Sequence, residues 1–454
     1  MAEPAAAILA RFSEQVLGVP LPVGIRLWDG STAGPADGPA FVLRDREALR
    51  RLLWRPGELG LARAWVAGDL DVDGDLYELL KRVAALVWER DEPAGRTATL
   101  RRALGVLTAP GGLRTVGRTL SLAGPGLPPA PPAEEVVRRR GPAHSLRRDK
   151  EAISHHYDAG NDFYALMLGP SLVYSCAYWQ SAPHTSGSGS GSGDTLERAQ
   201  EAKLDLVCRK LALREGQRLL DVGCGWGSMA LHAAEHYGVQ VVGVTLSVEQ
   251  ATAARERVAA AGLDHRVEIR VQDYRQIDDA PFDAISSIGM AEHVGGARYR
   301  EYAHILHRLL KPGGRLLNHQ IARRPVRDED TYRMDPFIDR YVFPDGELAP
   351  VGSTVSLLEE AGFEVRDVES LREHYALTLR EWVANLEARW DEAVALTSPA
   401  RARVWRLYMA ASAVGFETNT MGVNQVLAVR TGTDGRSGMP LRRDFLSTPA
   451  PAAH

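Results

Sequence analysis

The sequence predicts an α/β protein built on a doubly wound, mostly parallel sheet of seven strands. Three observations support this fold. Short apolar strands alternate with helical segments from residue 195 onward, one strand runs into a glycine-rich turn and a helix, and polar residues follow several strand ends. Ligands of such sheets bind at the carboxyl ends of the strands, so the functional site is expected along that edge.

Length and composition add a second, smaller domain. The chain has 454 residues, 45% of them hydrophobic, which is enough for two cores. A formal net charge of -4 argues against nucleic acid as a partner. The three cysteines lack metal-type spacing, so neither a disulfide framework nor a metal site is expected. Without a signal-peptide pattern or an apolar run of about 18 residues, we expect a cytoplasmic protein with no transmembrane span.

The predicted organisation has four parts. They are a small α/β domain (1–120), a Pro-rich and basic linker (121–150), a catalytic domain (151–435) and a disordered tail (436–454). Linker arginines at 138–140 are either a solvated run or a contact with anionic lipid headgroups. The Gly/Ser run 186–193 predicts a flexible loop, whether natural or introduced. The Asp-rich stretch 68–75 lacks calcium-loop spacing and indicates a surface turn with a helix cap.

The elements follow from local patterns. In the first domain we expect a helix around residues 6–9, strands at 24–28 and 41–43, and an amphipathic helix around 49–53. The catalytic domain is predicted to contain strands at 218–222, 239–244, 267–271, 283–288, 315–321, 364–368 and 425–430. Helices are predicted at 195–211, 246–261 with Ser247 as N-cap, 299–310, 377–390 and 401–414.

The glycine-rich turn is the strongest single signal. Gly223, Gly225 and Gly227 can adopt positive φ, and the helix that follows offers free N–H groups to a nucleoside cofactor. An ordinary turn or a dinucleotide-binding loop would also contain glycines. Asp221 at the strand end and the tight glycine spacing favour S-adenosylmethionine (SAM). We therefore interpret the segment as a class I methyltransferase cofactor loop.

Polar residues after the next strands complete the predicted cofactor site. Thr245 stands where most SAM and NAD enzymes carry an acid for the ribose, so its hydroxyl and Gln250 are expected to bind the ribose. Gln272, Asp273 and Tyr274 follow the third strand and are expected near the adenine.

An acid and an imidazole follow the fourth and fifth strands. Glu292 comes after the fourth strand and His319 lies in the fifth, on neighbouring strand ends. A lone histidine is more often structural than catalytic. The expected convergence of Glu292 and His319 beside the sulfonium end of the cofactor raises the expectation of chemistry.

Several motifs resemble the cyclopropane-fatty-acyl-phospholipid synthase family. They are HYDAGNDFY at 156–164, YSCAYW at 174–179, GVTLSVEQ at 243–250, MAEHVG at 290–295, KPGG at 311–314 and DRYVFPDG at 339–346. The resemblance covers about residues 150–430 and is thinner in the first domain, where it rests on GDLDVDGD at 68–75. Tyr174, Ser175 and Leu246 within these motifs are further candidates for cofactor binding.

The resemblance implies a class I SAM-dependent methyltransferase with a helical lipid-binding cap. The alkene of an unsaturated acyl chain on a membrane phospholipid would attack the sulfonium methyl, and a bound bicarbonate would deprotonate the resulting carbocation. By analogy bicarbonate would be held by the Cys176 backbone, Glu292, His319, the Ile321 backbone and Tyr375. No nucleophilic role is expected for Cys176, because a buried cysteine acts as a small hydrophobe. The enzyme would sit peripherally on the inner face of the cell membrane.

Five aromatic residues and the product stay open. Tyr174, Trp179, Phe337, Tyr341 and Phe416 are either core residues or the wall of an acyl channel. Ala291 and the segment 319–324 depart from the family pattern, and a cyclopropane and a methylene branch, the precursor of a methyl branch, remain equal alternatives. A methylene product would require a partner reductase. A homodimer is a further expectation, and a SAM-dependent N-methyltransferase of a small amine is the alternative function.

Overall fold

The structure, a computed structural model, describes residues 3–88, 111–136, 148, 159–183, 194–329 and 332–443. It divides into two compact units. The first contains Met1–Val137 together with Arg340–Val342 and Ser398–Val414. The second contains Arg138–Asp339, Phe343–Thr397 and Gly415–His454. The smaller unit therefore includes two segments from the second half of the chain, which a division by sequence position does not contain.

The first unit has a four-stranded sheet in the order β2-β1-β3-β4. Its strands are Gly24–Arg26 (β1), Thr32–Ala33 (β2), Ala40–Leu43 (β3) and Leu70–Asp73 (β4), and its amino-terminal helices are Ala5–Leu17 (α1), Arg46–Trp54 (α2), Glu58–Val66 (α3), Leu76–Trp88 (α4) and Gly112–Ala123 (α5). The indole of Trp65 donates to the carbonyl of Arg403 at 2.8 Å, which shows how the later segment joins this core.

The Asp-rich stretch contains the expected helix cap but a strand in place of the expected surface turn. Asp75 caps α4, because its Oδ1 accepts from the backbone N–H of Tyr77 at 2.7 Å and of Glu78 at 3.1 Å. The residues before it are not a turn but strand β4, which pairs antiparallel with β3. Leu70 is buried, and this apolar anchor outweighs the unfavourable strand propensity of aspartate.

The second unit contains the predicted seven-stranded, mostly parallel sheet, in the order β10-β11-β9-β8-β5-β6-β7. Its strands are Arg218–Val222 (β5), Gln240–Thr245 (β6), Val267–Val271 (β7), Phe282–Ile288 (β8), Leu310–Arg323 (β9), Glu364–Ser370 (β10) and Met421–Val429 (β11). Strands β5 to β9 pair in parallel, and β11 runs antiparallel to both of its neighbours. The fold class predicted from the sequence is confirmed.

The remaining helices are Asn161–Leu168 (α6), Leu196–Leu211 (α7), Ser228–Tyr237 (α8), Val248–Ala260 (α9), Ala291–Val294 (α10), Gly296–Leu309 (α11), Val351–Glu360 (α12), Arg372–Ala388 (α13), Trp390–Leu396 (α14) and Pro399–Glu417 (α15). Most of α15 belongs to the first unit, which contains Ser398–Val414. Ser247 caps α9 as predicted, since its Oγ accepts from the N–H of Gln250 at 3.2 Å. Among the described helices, none is long and apolar enough to cross a bilayer.

Two element boundaries differ from the prediction in ways that concern the site. Strand β9 is longer at both ends than the predicted 315–321. Helix α13 begins at Arg372, not at 377, because the N–H of Tyr375 already bonds to the carbonyl of Leu371 at 3.0 Å. Tyr375 is thus held in the first turn of a helix.

Several predicted features lie outside the described residues. They are the arginines at 138–140 and Arg147, the start of the first family motif at 156–158, the Gly/Ser run 186–193 and the tail beyond 443. Within the part of the tail that is described, Met439 packs against the core of the second unit.

Candidate active site

The glycine turn lies where the sequence predicts it, between β5 and α8. Gly223, Gly225 and Gly227 have φ of 82°, 53° and 79°, which residues with a Cβ rarely adopt. A Cβ on Gly227 would lie 3.2 Å from the Cβ of Ala254, and one on Gly225 would lie 3.9 Å from the Gln250 amide nitrogen. The turn therefore packs directly against α9, which carries Gln250.

Thr245 and Gln250 form one unit at the end of β6. The Thr245 hydroxyl donates to Gln250 Oε1 at 3.0 Å, and both side chains are buried. Gln250 Nε2 has no hydrogen-bond partner among the described residues. The threonine thus orients the amide so that its N–H groups remain available, as a ribose hydroxyl acceptor would require. Leu246, the next candidate, is half-buried beside them.

The three residues expected near the adenine have different surroundings. Asp273 forms an ion pair with Arg275 at 2.7 Å. Tyr274 is buried and packs edge-on against Tyr302, with 5.2 Å between ring centroids. Gln272 is half-buried, and its Nε2 donates to the carbonyl of Gln276 at 2.9 Å. Asp273 therefore already has a cationic partner within its own loop.

Asp221 is the penultimate residue of β5 and is buried, two positions before the first glycine of the turn. Its Oδ1 accepts from the Ser286 hydroxyl at 2.7 Å, whereas Oδ2 has no hydrogen-bond partner within the described part of the chain. Burial raises the pKa of Asp221 to about 6, although that hydrogen bond and the charge of Lys203 oppose the rise. A buried carboxylate oxygen of this kind can accept a hydrogen bond from an ammonium group of a ligand.

Glu292 stands at the start of α10, directly after β8. Its Oε1 accepts from the N–H of Ile321 on β9 at 2.7 Å, and Oε2 has no partner among the described residues. Burial raises the pKa of Glu292 to about 7, although the hydrogen bond from Ile321 opposes the rise. The carboxyl therefore holds a proton more readily than an ordinary glutamate does.

His319 lies on β9, two residues before Ile321, and is 2% exposed. Neither ring nitrogen has a hydrogen-bond partner within the described residues. Burial, reinforced by the charges of Lys203 and Lys210, holds the pKa of His319 well below its ordinary value. The imidazole is neutral, with one N–H to donate and one nitrogen to accept.

Cys176 and Tyr375 both contact the backbone carbonyl of Leu371, Cys176 through its thiol and Tyr375 through its N–H. The Cys176 thiol donates to the carbonyl of Leu371 at 3.5 Å, and the N–H of Leu371 bonds to Val423, which lies opposite Ile321 in the sheet. Burial raises the pKa of Cys176 well above its ordinary value, so the thiol stays protonated. A protonated thiol is a weak nucleophile, and the absence of a nucleophilic role for Cys176 stays a prediction.

The aromatic candidates divide into two groups. Tyr375 packs on Phe416 at 4.8 Å and edge-on to Trp382 at 5.9 Å, and Tyr174 lies 5.5 Å from Trp382. Tyr341 belongs to the first unit instead, where its hydroxyl donates to the buried Glu135 at 3.1 Å. Phe337 and Trp179 are buried within the second unit.

Sequence reasoning missed four polar residues around the site. Lys203 and Thr378 are fully buried, and Thr378 Oγ accepts from both the Ala177 N–H at 3.1 Å and the Trp179 indole at 3.0 Å. Gln425 on β11 lies opposite His319 in the sheet register. Asn161 accepts from the Trp226 indole of the glycine turn at 2.8 Å. The only available signal was a polar residue at an apolar position of a helix or strand, which indicates burial but no role.

Comparison with known proteins identifies the family. The family described as mycolic acid cyclopropane synthetase matches residues 144–426. A probable fatty acid methyltransferase of Mycobacterium tuberculosis is 42% identical over 93% of this chain and 94% of its own length. The cyclopropane-fatty-acyl-phospholipid synthase of Escherichia coli is 40% identical over 62% of this chain and 68% of its own length.

Solved structures agree with these relatives. The mycolic acid cyclopropane synthase CmaA1, in complex with S-adenosylhomocysteine (SAH) and CTAB, has a TM-score of 0.56 and 35% identity, and covers 62% of this chain and 97% of its own. Coclaurine N-methyltransferase has the same TM-score at 21% identity, covering 81% of this chain and 98% of its own, a likeness that shows the fold alone. The chain is a SAM-dependent methyltransferase and belongs to the mycolic acid cyclopropane synthetase family.

Proposed function

We propose that this enzyme methylates the double bond of an unsaturated acyl chain on a membrane phospholipid, with a bound bicarbonate as the base. One observation supports the site above all. Glu292 follows β8 and His319 lies on the neighbouring strand β9, and the buried Oε2 of Glu292 and both ring nitrogens of His319 have no partner among the described residues. The names of the relatives, which include fatty acid methyltransferases and a cyclopropane-fatty-acyl-phospholipid synthase, support the acyl substrate.

The reaction needs an electrophilic methyl and a base. The π electrons of the alkene form a new C–C bond to the sulfonium methyl, the C–S bond breaks, and SAH leaves. The neighbouring carbon is then a cation. It loses a proton from the added methyl with ring closure, giving a cyclopropane, or after a hydride shift, giving a methylene branch. Bicarbonate, when bound, supplies the base that accepts this proton.

The surrounding residues fit a small anion. A second negative charge beside an ionised Glu292 would be costly, but the pKa of about 7 lets this carboxyl take up a proton and donate a hydrogen bond. Neutral His319 can donate a second one. The N–H of Ile321 holds the carboxyl in place through Oε1. We propose that Tyr375 and the Cys176 backbone complete the contacts.

Exclusion of water is the second requirement, because a carbocation is trapped by water. The aromatic side chains of Tyr174, Tyr375, Trp382 and Phe416 pack on one another and would provide the apolar walls of such a pocket. Aromatic faces also stabilise a nearby positive charge. A small-amine N-methyltransferase would have no need of this combination, and the structural neighbours of that class share only the fold.

The product experiment uses the purified enzyme, SAM and vesicles that contain oleoyl phospholipid. A gain of one CH₂ per acyl chain is expected, and it should fall when bicarbonate is removed by degassing and restored on its addition. NMR of the product distinguishes cyclopropane from methylene, which are isomers. Relatives that match nearly the whole chain are named probable fatty acid methyltransferases, a name that fits either isomer. Methylation of amines but not of the lipid would contradict the proposal.

A membrane surface is proposed for the first unit. On α5, Leu113 and Leu120 are 71% and 55% exposed, whereas the buried face of the helix carries Thr115 and Thr119. Exposed Arg114 lies beside these outward leucines. An apolar face next to a basic residue is typical of a helix that lies on anionic lipid. We therefore propose that the enzyme binds peripherally to the inner face of the cell membrane, where the proposed phospholipid substrate would be within reach.

Vesicle flotation tests this surface. Replacing both leucines by Asp should lower binding to vesicles rich in phosphatidylglycerol several-fold, and added salt should weaken binding of the unchanged enzyme. Exposed Val368 in the second unit provides a matched control, because Val368→Asp should leave vesicle binding unchanged. Equal binding of the double variant and the unchanged enzyme would exclude α5 as the contact.

A further inference from the structure

Helix α7 contains two fully buried lysines with different partners. The ammonium of Lys210 lies beside Glu369 and 3.5 Å from Asp367, so its charge is compensated by carboxylates. Lys203, two turns earlier, forms none of the ion pairs found among the described residues. Its Nζ donates to the Ser175 hydroxyl at 2.9 Å, and its side chain is fully buried.

Lys203 is part of a row on α7 that holds one loop. Gln200, one turn before it, donates from Nε2 to the carbonyls of Val173 at 3.2 Å and Leu168 at 3.4 Å. Lys203 then contacts Ser175, the last residue of this stretch. The loop that carries the predicted cofactor contacts Tyr174 and Ser175 is thus bound to α7 on both sides of Tyr174.

The buried ammonium of Lys203 carries a large desolvation free energy, which a hydrogen bond to a neutral hydroxyl does not offset. Burial lowers the pKa of Lys203 to about 8, and only the nearby Cys176, Asp221 and Cys208 favour the charged form. The side chain is still mainly an ammonium at neutral pH. A buried ammonium is stable only when a negative group compensates it. Asp221 does so only in part, because its hydrogen-bonded oxygen is turned to Ser286.

We propose that Lys203 is a positioning residue for the methionine end of SAM. The Ser175 hydroxyl accepts from the ammonium, so its own O–H is free to donate to the cofactor carboxylate. The positive charge behind Ser175 complements that carboxylate, and the free Oδ2 of Asp221 complements the cofactor ammonium. The zwitterionic amino-acid end of SAM would then lie near one positive group, Lys203, and one negative group, Asp221. This inference rests on the proposed cofactor contacts of Ser175 and Asp221, and not on bicarbonate or the lipid.

Two ligands separate this role from a general structural one. SAH contains the amino-acid end, whereas 5′-methylthioadenosine has the same adenosine and thioether without it. In Lys203→Met, calorimetry should show SAH binding at least tenfold weaker, while 5′-methylthioadenosine binds within twofold of the unchanged enzyme. Lys210→Met is the matched control: it removes an equally buried lysine from the same helix and should leave SAH affinity within twofold.

Ser175→Ala keeps the test decisive if Lys203→Met does not fold. It removes only a hydroxyl and should show the same preference, with SAH weakened and 5′-methylthioadenosine unaffected. Unchanged SAH affinity in either variant, or equal losses for the two ligands, would overturn the inference. The product experiment on the unchanged enzyme is independent of this result, so failure of one proposal leaves the other standing.

Discussion

The two halves of the carboxyl edge of the sheet differ in how their buried polar side chains are hydrogen-bonded. On the predicted cofactor side, after β6 and β7, buried polar side chains pair with near neighbours in the chain, as Thr245 does with Gln250 and Asp273 with Arg275. On the proposed reaction side, after β8 and in β9, Glu292 accepts a hydrogen bond from a residue 29 positions away, and His319 has no side-chain partner among the described residues.

This difference has a chemical consequence. Locally paired groups keep a fixed orientation and suit a ligand that binds by hydrogen bonds. Buried groups without partners are desolvated, which disfavours their charged form. The pKa of an acid is therefore raised, as the pKa of about 7 for Glu292 illustrates. An acid and an imidazole whose pKa values are both shifted by burial, on neighbouring strand ends, are typical of a reaction centre. Substitutions on the two sides should therefore affect different observables.

Glu292→Gln should have the largest effect. It keeps the shape of the side chain but removes the ionisable group, so we expect lipid methylation to fall by about 10²–10⁴-fold. SAH affinity should stay within twofold, because Glu292 lies on the reaction side. Product formation by mass spectrometry and SAH binding by calorimetry check both parts. A variant with full activity would remove Glu292 from the mechanism.

The stability of the enzyme should report the same residue through pH. The folded pKa of Glu292 lies above its unfolded value, so the folded state binds more protons and loses stability as pH rises from about 4.5 to 7. The loss is on the order of 3 kcal/mol above pH 7. Urea unfolding of the enzyme and Glu292→Gln at pH 5 and pH 8 measures it. Relative to the unchanged enzyme, the free energy of unfolding of the variant should be higher at pH 8 than at pH 5. The pH dependence contributed by Asp221 is common to both proteins and cancels in this difference. A pH-independent difference would show that the carboxyl is not desolvated.

Thr245→Val should have the smallest effect and a purely binding one. The variant loses the bond that orients Gln250, worth about 1 kcal/mol, so SAH affinity should fall about fivefold. With saturating SAM, the methylation rate should be nearly unchanged. Titration of SAH and rates at high SAM concentration provide the readouts. A large loss of rate at saturation would mean that the two sides of the site are not independent.

Local features were predictable because they depend on neighbours in the chain. The glycine turn, the Ser247 cap and the seven-stranded sheet follow from φ requirements, capping chemistry and apolar periodicity. The start of α13 at Arg372 was not predictable, since it depends on Leu371 bonding to β11. The inclusion of Ser398–Val414 in the first unit likewise depends on contacts such as that between Trp65 and Arg403.

The sequence by itself determined the fold class, the glycine turn and the family, because strand and helix periods, glycine spacing and short motifs are local properties. Only the tertiary structure decided which polar atoms are buried and whether they have partners. It separated Tyr341 from the other aromatic candidates, and it distinguished Lys203 from Lys210, two lysines on one helix. Desolvation depends on everything packed around a group, and the residues that surround Glu292, His319 and Lys203 come from distant parts of the chain.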